Sequence, residues 1–218
     1  GDRAPGTAKG DGVVGGVYAS KHWGGLHALG SATYGFTEYD TKRQIAFPGV
    51  NQTAEGHPDT HDINVYFESG LTLPFGMVQL QPIFGMQYLW LNQGSFNESG
   101  ADILNLAMQS EATNAFWGMA GGRMFLVPVD FNGTSVKPYV HGKWVHDFIG
   151  QDLLVTGALS GVGGSFAVRG ADTGRDFIVA GAGLSVQNGS WRFIADYTGL
   201  TNDEQTSHTG SASVEFRW

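Results

Sequence analysis

A transmembrane, antiparallel, up-and-down β-barrel is the all-β fold that this sequence predicts, and three observations carry the prediction. Apolar residues alternate with period two along almost all of the 218 residues, interrupted by clusters of Gly, Asn, Asp and Ser. Connections between the alternating runs are by turns short and long. The composition also suits a sheet with one face in lipid: only 15% of residues are charged, against roughly 25% in ordinary soluble domains, while 34 are Gly and 12% are aromatic. A chain 41% hydrophobic buries enough surface to escape disorder. No run approaches the roughly 18 consecutive apolar residues of a spanning helix, and the mean hydropathy is -0.13.

Nine strands follow, the first seven at about 12–20, 25–39, 62–74, 77–91, 114–126, 136–148 and 176–187, the last two at about 191–199 and 208–218. In 62–74 the apolar set is Ile63, Val65, Phe67 and Leu71, opposite Asn64, Tyr66, Glu68 and Thr72. In 77–91, Val78, Leu80, Pro82, Phe84, Met86, Tyr88 and Trp90 oppose Gln79, Gln81, Gly85 and Gln87. In 136–148, Val136, Val140, Trp144 and Phe148 oppose Tyr139, His141, Lys143 and Asp147. The eighth strand sets Trp191, Phe193, Ala195 and Tyr197 against Arg192, Ile194, Asp196 and Thr198. The ninth sets Gly210, Ala212, Val214, Phe216 and Trp218 against Thr209, Ser211, Ser213, Glu215 and Arg217.

The segments 20–24, 73–76 and 187–190 read as tight turns, the last on Asn188-Gly189, and 127–135 carries Asn132-Gly133, another favoured hairpin pair. Those at 44–60, 92–113, 150–174 and 200–207 read as long loops. Turns at one end and loops at the other describe an outer-membrane barrel, with periplasmic turns and extracellular loops. In lipid the apolar face of each strand points outward and the polar face lines the lumen. The expected lumen-facing set is Tyr66, Glu68, Arg123, His141, Lys143, Arg175, Arg192, Asp196, Glu215 and Arg217, and the expected interfacial aromatics are Tyr34, Phe36, Trp90, Trp144, Trp191 and Tyr197. In the segments 62–73, 116–126, 136–148, 191–199 and 208–218, all ten charged residues share the luminal face. Each Arg or Lys placed on the lipid face at the midplane costs ~2–4 kcal/mol.

Nine is odd, whereas bacterial single-chain barrels have even strand numbers, so the sequence predicts further strands upstream. The chain resembles the C-terminal part of the translocator domain of type V (monomeric) autotransporters. The likeness rests on a collinear series: Gly16-Val17-Tyr18-Ala19-Ser20, Ala32-Thr33-Tyr34-Gly35, Tyr39-Asp40-Thr41-Lys42-Arg43 and Tyr66-Phe67-Glu68-Ser69-Gly70. It continues through Leu80-Gln81-Pro82-Ile83-Phe84-Gly85, Phe96-Asn97-Glu98-Ser99-Gly100-Ala101, Lys137-Pro138-Tyr139-Val140 and Trp144-Val145-His146-Asp147-Phe148. Gly181-Ala182-Gly183-Leu184 and the terminal Phe216-Arg217-Trp218 complete it. The resemblance implies a twelve-stranded barrel with a pore-threading helix, in which residues 1–218 form a single outer-membrane barrel domain supplying strands four to twelve. It implies a translocator or anchor in the outer membrane of a Gram-negative bacterium. It also implies an upstream passenger, outer-membrane lipid and the barrel-assembly machinery as partners, and no enzymatic role. Val214, Phe216 and Trp218 resemble the assembly signal of such barrels; their other reading is a lipid-facing strand that ends on an aromatic. One departure stands out. Trp117 and Met119 occupy positions ahead of Arg123 where some members carry charge.

Other features point to less. Net charge is -8 with only 12 Lys and Arg, so there is no basic face for nucleic acid. No Cys is present, and no cofactor is expected. His57, Asp59, His61 and Asp62 have metal-ligand chemistry, but Pro58 precludes a helical two-His arrangement and a solvated loop is the better reading. Asp40, His146 and Ser160 fix no nucleophile beside a base. A hydrolase active at the barrel rim, or a passive pore within a larger assembly, are the alternative functions. Glycines inside strands, such as Gly70, Gly181 and Gly183, make room for rings from neighbouring strands, with Tyr66 and Phe177 as expected luminal partners.

Overall fold

The computed structural model describes residues 6–150, 154–161, 164–170 and 174–216. Nine strands form the wall, each antiparallel to its neighbour in sequence: β1 (Gly6–Trp23), β2 (Leu26–Phe47), β3 (Asp59–Leu71), β4 (Val78–Gln93), β5 (Glu111–Leu126), β6 (Thr134–Asp147), β7 (Asp176–Asn188), β8 (Trp191–Thr201) and β9 (Thr206–Phe216). These are the nine strands that the alternation predicts, in an up-and-down order. β1 and β9 each pair on one side only among the described residues, so the sheet is an open barrel.

Tight connections at one end impose the meander. Gly24 (φ 59°) turns β1 into β2, and Asn132 (φ 47°) and Gly133 (φ 83°) supply the two positive angles of a type I′ hairpin before β6. Between β7 and β8 the ladder runs out to Asn188 opposite Trp191, so the turn residues are Gly189 and Ser190, not Asn188 and Gly189.

At the other end the structure departs from the expected loops. β2 continues past residue 44 and folds back at Pro48-Gly49 into Val50–Gly56, because the alternation persists and Gly49 (φ 86°) permits the turn. Within the next two loops, Phe96–Asn97, Leu106–Met108, Leu154–Leu159 and Ser165–Arg169 make a second, four-stranded sheet. A bridge between Glu55 and Ser99 joins this sheet to the hairpin. Arg43 donates to both carboxylate oxygens of Glu98 (3.2 and 2.5 Å) and to the Leu104 carbonyl (2.9 Å), while Glu98 also accepts from the Leu106 N–H. The expected long loop at 200–207 is a four-residue turn: Asn202 Oδ1 accepts the N–H groups of Glu204 and Gln205 and closes β8 onto β9.

Curvature shows in contacts between strands two apart. On one face Arg123 of β5 reaches Glu68 of β3, Lys137 of β6 reaches Gln79 of β4, and Thr198 of β8 reaches His141 of β6. That face is concave. The opposite face exposes large apolar side chains, among them Val17 (74%), Phe84 (51%) and Ile178 (52%), as a lipid-facing surface must. The buried hydrophobic cluster is small and luminal: Met119, Val145, Phe177 and Val179.

Rings do pack over glycine, but not the rings expected. A Cβ at Gly70 would strike the His27 ring, one at Gly181 the His141 ring, and one at Gly183 the Tyr139 ring. Each ring lies directly across the ladder from its glycine, whereas Tyr66 faces Ser31 and Gln87, and Phe177 faces Val145. Replacing Gly183 with Val should therefore destabilise the folded barrel by about 1–3 kcal/mol through overpacking. Gly210→Ala, where nothing lies within 4 Å, should be close to neutral, with urea unfolding of detergent-refolded protein as the measurement. Glu98→Ala should open the loop unit without unfolding the wall, seen as new protease cleavage between residues 96 and 106 with an intact heat-modifiable barrel band.

Candidate functional site

The concave face is the candidate site, and ladder register places its residues. Glu68 faces Leu29 and Gly85, Arg123 faces Gln81 and His141, and Lys143 faces Gly121 and Val179. Asp196 faces Gly183 and Ser211, and Arg192 faces Glu215. Tyr66, Glu68, Arg123, His141, Lys143, Arg192, Asp196 and Glu215 thus share the concave face. Arg175 does not lie on the wall: it precedes β7, exposed beside Gly150, and its carbonyl accepts the Asp147 N–H. Arg217 and Trp218 lie outside the described residues.

Near the turn end the groups converge on Glu68, which is only 4% exposed. Arg123 holds it with two parallel bonds, Nη1 to Oε1 (2.8 Å) and Nη2 to Oε2 (2.9 Å), and the Tyr66 hydroxyl donates to Oε2 (2.7 Å). His27 Nε2 stands 3.6 Å from Oε1. Gln81 orders the surroundings, accepting from Arg123 and donating to Thr72. A guanidinium fork and a phenol together satisfy this buried carboxylate.

Midway along the strands, His141 approaches Asp196 at 3.3 Å and Thr198 donates to the same carboxylate (2.7 Å). On the adjoining strands Arg192 meets Glu215 (3.5 Å) and donates to Ser185. Lys137 donates to Gln79 (3.0 Å) and lies over the Phe125 ring, and the Lys143 ammonium has Met119 Sδ at 3.5 Å.

Toward the loop end the lumen changes character. Met119, Val145, Phe177 and Val179 pack together with Tyr66, Trp117 and Leu200, all on the concave side. In front of them lies a cavity of about 550 Å³; below it a second, of about 260 Å³, is lined by Arg123, His141 and Asp196, and Lys143 borders both. Sequence reasoning missed this apolar shelf. Phe177-Ile178-Val179-Ala180 is apolar on both faces, so alternation gives no hint of which side faces water. The available signs were Phe177, expected in the lumen over a glycine, and Trp117 and Met119 on a face otherwise rich in polar groups.

The six aromatics expected at the interfaces all point outward. Trp191 lies at the turn end against Phe216, with ring centroids 4.8 Å apart, while Tyr34, Phe36, Trp90, Trp144 and Tyr197 lie nearer the loop end. Three outward histidines join them: His61 bonds the Tyr34 hydroxyl (2.6 Å), His208 bonds the Tyr197 hydroxyl (2.8 Å), and His146 shares Asp176 with the Trp144 indole. His61 also stands 3.3 Å from Asp59, but His57 bonds Asp40 and Asp62 lies on the concave face opposite Gly35, so the four residues do not converge on one point. Among the described residues no group of three or more His, Asp or Glu side chains is arranged to hold a metal ion. Asp40, His146 and Ser160 are not brought together, Ser160 bonding its N–H to the Asn105 carbonyl within the loop sheet.

The family model described as "Autotransporter beta-domain" matches residues 1–198. Among solved structures, the translocator domain of autotransporter NalP from Neisseria meningitidis superposes with a TM-score of 0.72 at 20% identity, covering 100% of this chain and 70% of that one. That likeness is one of fold. The β domain of the Bordetella autotransporter BrkA is 13% identical with a TM-score of 0.38, over 98% of this chain and 92% of that one. No curated protein sequence matches.

Removing Arg123 by substitution with Ala should cost ~3 kcal/mol, because it strands a buried carboxylate. Glu68→Gln should cost less, and the double variant should cost less than the sum of the two. Unfolding midpoints of the three proteins measure this coupling.

Proposed function

We propose, from the premise that the chain belongs to the autotransporter β-domain family, that it anchors an upstream passenger in the membrane and that its concave face is the route along which the passenger's linking segment lies. Members of this family are outer-membrane translocators and anchors of Gram-negative bacteria, and the chain is one of them. The observation that carries the finer reading is the two-faced wall: apolar side chains outward on all nine strands, with ion pairs and cavities inward.

Lipid is the partner of the outward face, its boundaries marked by the aromatic rows. The edges of β1 and β9, unpaired among the described residues, support completion of the barrel by three more strands of the same polypeptide, with residues 1–218 as strands four to twelve. An open edge in hydrocarbon leaves a row of unpaired N–H and C=O groups at several kcal/mol each. Val214 and Phe216, outward on the free strand β9, together with Trp218, are the segment read by the barrel-assembly machinery, by strand pairing with pockets for alternate side chains. The luminal ion pairs hold the wall and the hydrated route, and the reading assigns them no covalent chemistry.

In cells producing the whole polypeptide, the passenger should be open to external protease. Phe84→Arg, on the lipid face, should abolish that exposure and the heat-modifiable barrel band, whereas Gln87→Arg, on the luminal face, should leave the band intact. Normal passenger exposure from the Phe84→Arg protein would overturn the assignment of the faces.

A further inference from the structure

The luminal shelf and the lysine beneath it face the pore and not lipid. Val145, Phe177 and Val179 lie side by side across β6 and β7, Met119 extends them onto β5, and Leu200 onto β8. All face the lumen, where a water-filled pore calls for polar groups. Packing among themselves leaves the cavity of about 550 Å³ open in front of them.

The charges below are unequal. Arg123 answers Glu68, His141 answers Asp196, and Arg192 answers Glu215. Lys137 and Lys143 make no ion pair among the described residues; a glutamine and an aromatic ring accompany the first, a thioether the second. Gly121 lies directly across from Lys143, where a Cβ would meet the Gly142 carbonyl and the lysine's own Cα and Cβ, so the two strands approach closely, and Lys143 borders both cavities.

We propose that the shelf and Lys143 form a two-part seat for the segment of this same polypeptide that lies in the pore, taking an apolar or aromatic side chain against Met119, Val145 and Phe177 and a carboxylate one step nearer the periplasm, on Lys143. The proposal rests on the reading of the concave face as the passenger's route. Glu68 acts on Lys143 only at longer range, its own bonds going to Arg123 and Tyr66, so the lysine selects an acidic group of its own, and its place beside an apolar shelf selects the neighbour of that group. Lys143 and Val145 are two residues apart on one face of β6, about 7 Å along the strand. The two anchoring residues are therefore about two apart in an extended segment, or about four to five apart in a helix, which rises about 1.5 Å per residue.

The test uses the full-length protein with its passenger, carrying a photo-crosslinking residue in place of Phe177, or in place of Ser213 on the luminal face of β9 as a control outside the seat. The Phe177 position should crosslink within the same polypeptide, to a site flanked at that spacing by Asp or Glu. Lys143→Gln should lower the yield about tenfold, the loss of one good ionic contact, while Lys143→Arg retains it. A heat-modifiable band shows that each variant has folded. Crosslinking from Ser213 but not from Phe177, equal yields from Lys143→Gln and wild type, or capture of lipid or another protein at Phe177 would overturn the seat while leaving the route standing. Absence of crosslinks from both positions, with the passenger still reaching the surface, would remove the route as well.

Discussion

Hydrocarbon offers no hydrogen bonds, and the rest of this molecule depends on that fact. Every N–H and C=O that enters the membrane must find its partner in a neighbouring strand, and nine long strands in an unbroken neighbour-to-neighbour ladder are how this chain complies. The turns follow from the ladder. Consecutive strands can register along their whole length only if one end of each pair is closed tightly, which is the work of the positive-φ residues Gly24, Asn132, Gly133 and Gly189. The division of side chains follows too, because a pleated strand sends alternate residues to lipid and lumen and leaves charge only one tolerable side.

Curvature then brings the inward residues within reach of one another. A flat sheet would keep β3 and β5 side chains apart, but the open barrel lets Arg123 span to Glu68, and the buried carboxylate becomes the fixed point of a network that also takes in Tyr66, His27 and Gln81. Small residues make this possible where rings must lie against the wall, as Tyr139 does over Gly183. The lumen is thus graded, a tightly paired polar floor giving way to an apolar shelf near the loop end.

Much of the wall was legible in the sequence because period two is a strong signal wherever the two faces differ in polarity. The last two strands are of this kind, and so is β3 with Ile63, Val65 and Phe67 against Asn64, Tyr66 and Glu68. Legibility failed where polarity did not discriminate. In β7 both faces are apolar; Phe177 was expected in the lumen only as a ring over glycine, and nothing marked Val179 as its luminal neighbour, so the shelf stayed hidden. It failed as well outside the membrane, where strands are set by partners far along the chain: nothing local in residues 106–108 announces pairing with residues 154–159. The glycine partners were misassigned for a related reason. A ring covers the glycine directly opposite in the ladder, and that register emerges only once the hairpins are closed.

The Arg43–Glu98 contact has a consequence for how the outer surface changes over generations. Extracellular loops of barrels ordinarily drift separately, each answerable only to its own two strands. Here a guanidinium from one hairpin binds a carboxylate 55 residues away, and the Glu55–Ser99 bridge ties that hairpin to the second sheet. Variation on one loop therefore constrains variation on the other. Loss of either side chain undoes the contact for both loops, and the outer end of the barrel is one joint surface instead of a set of independent loops.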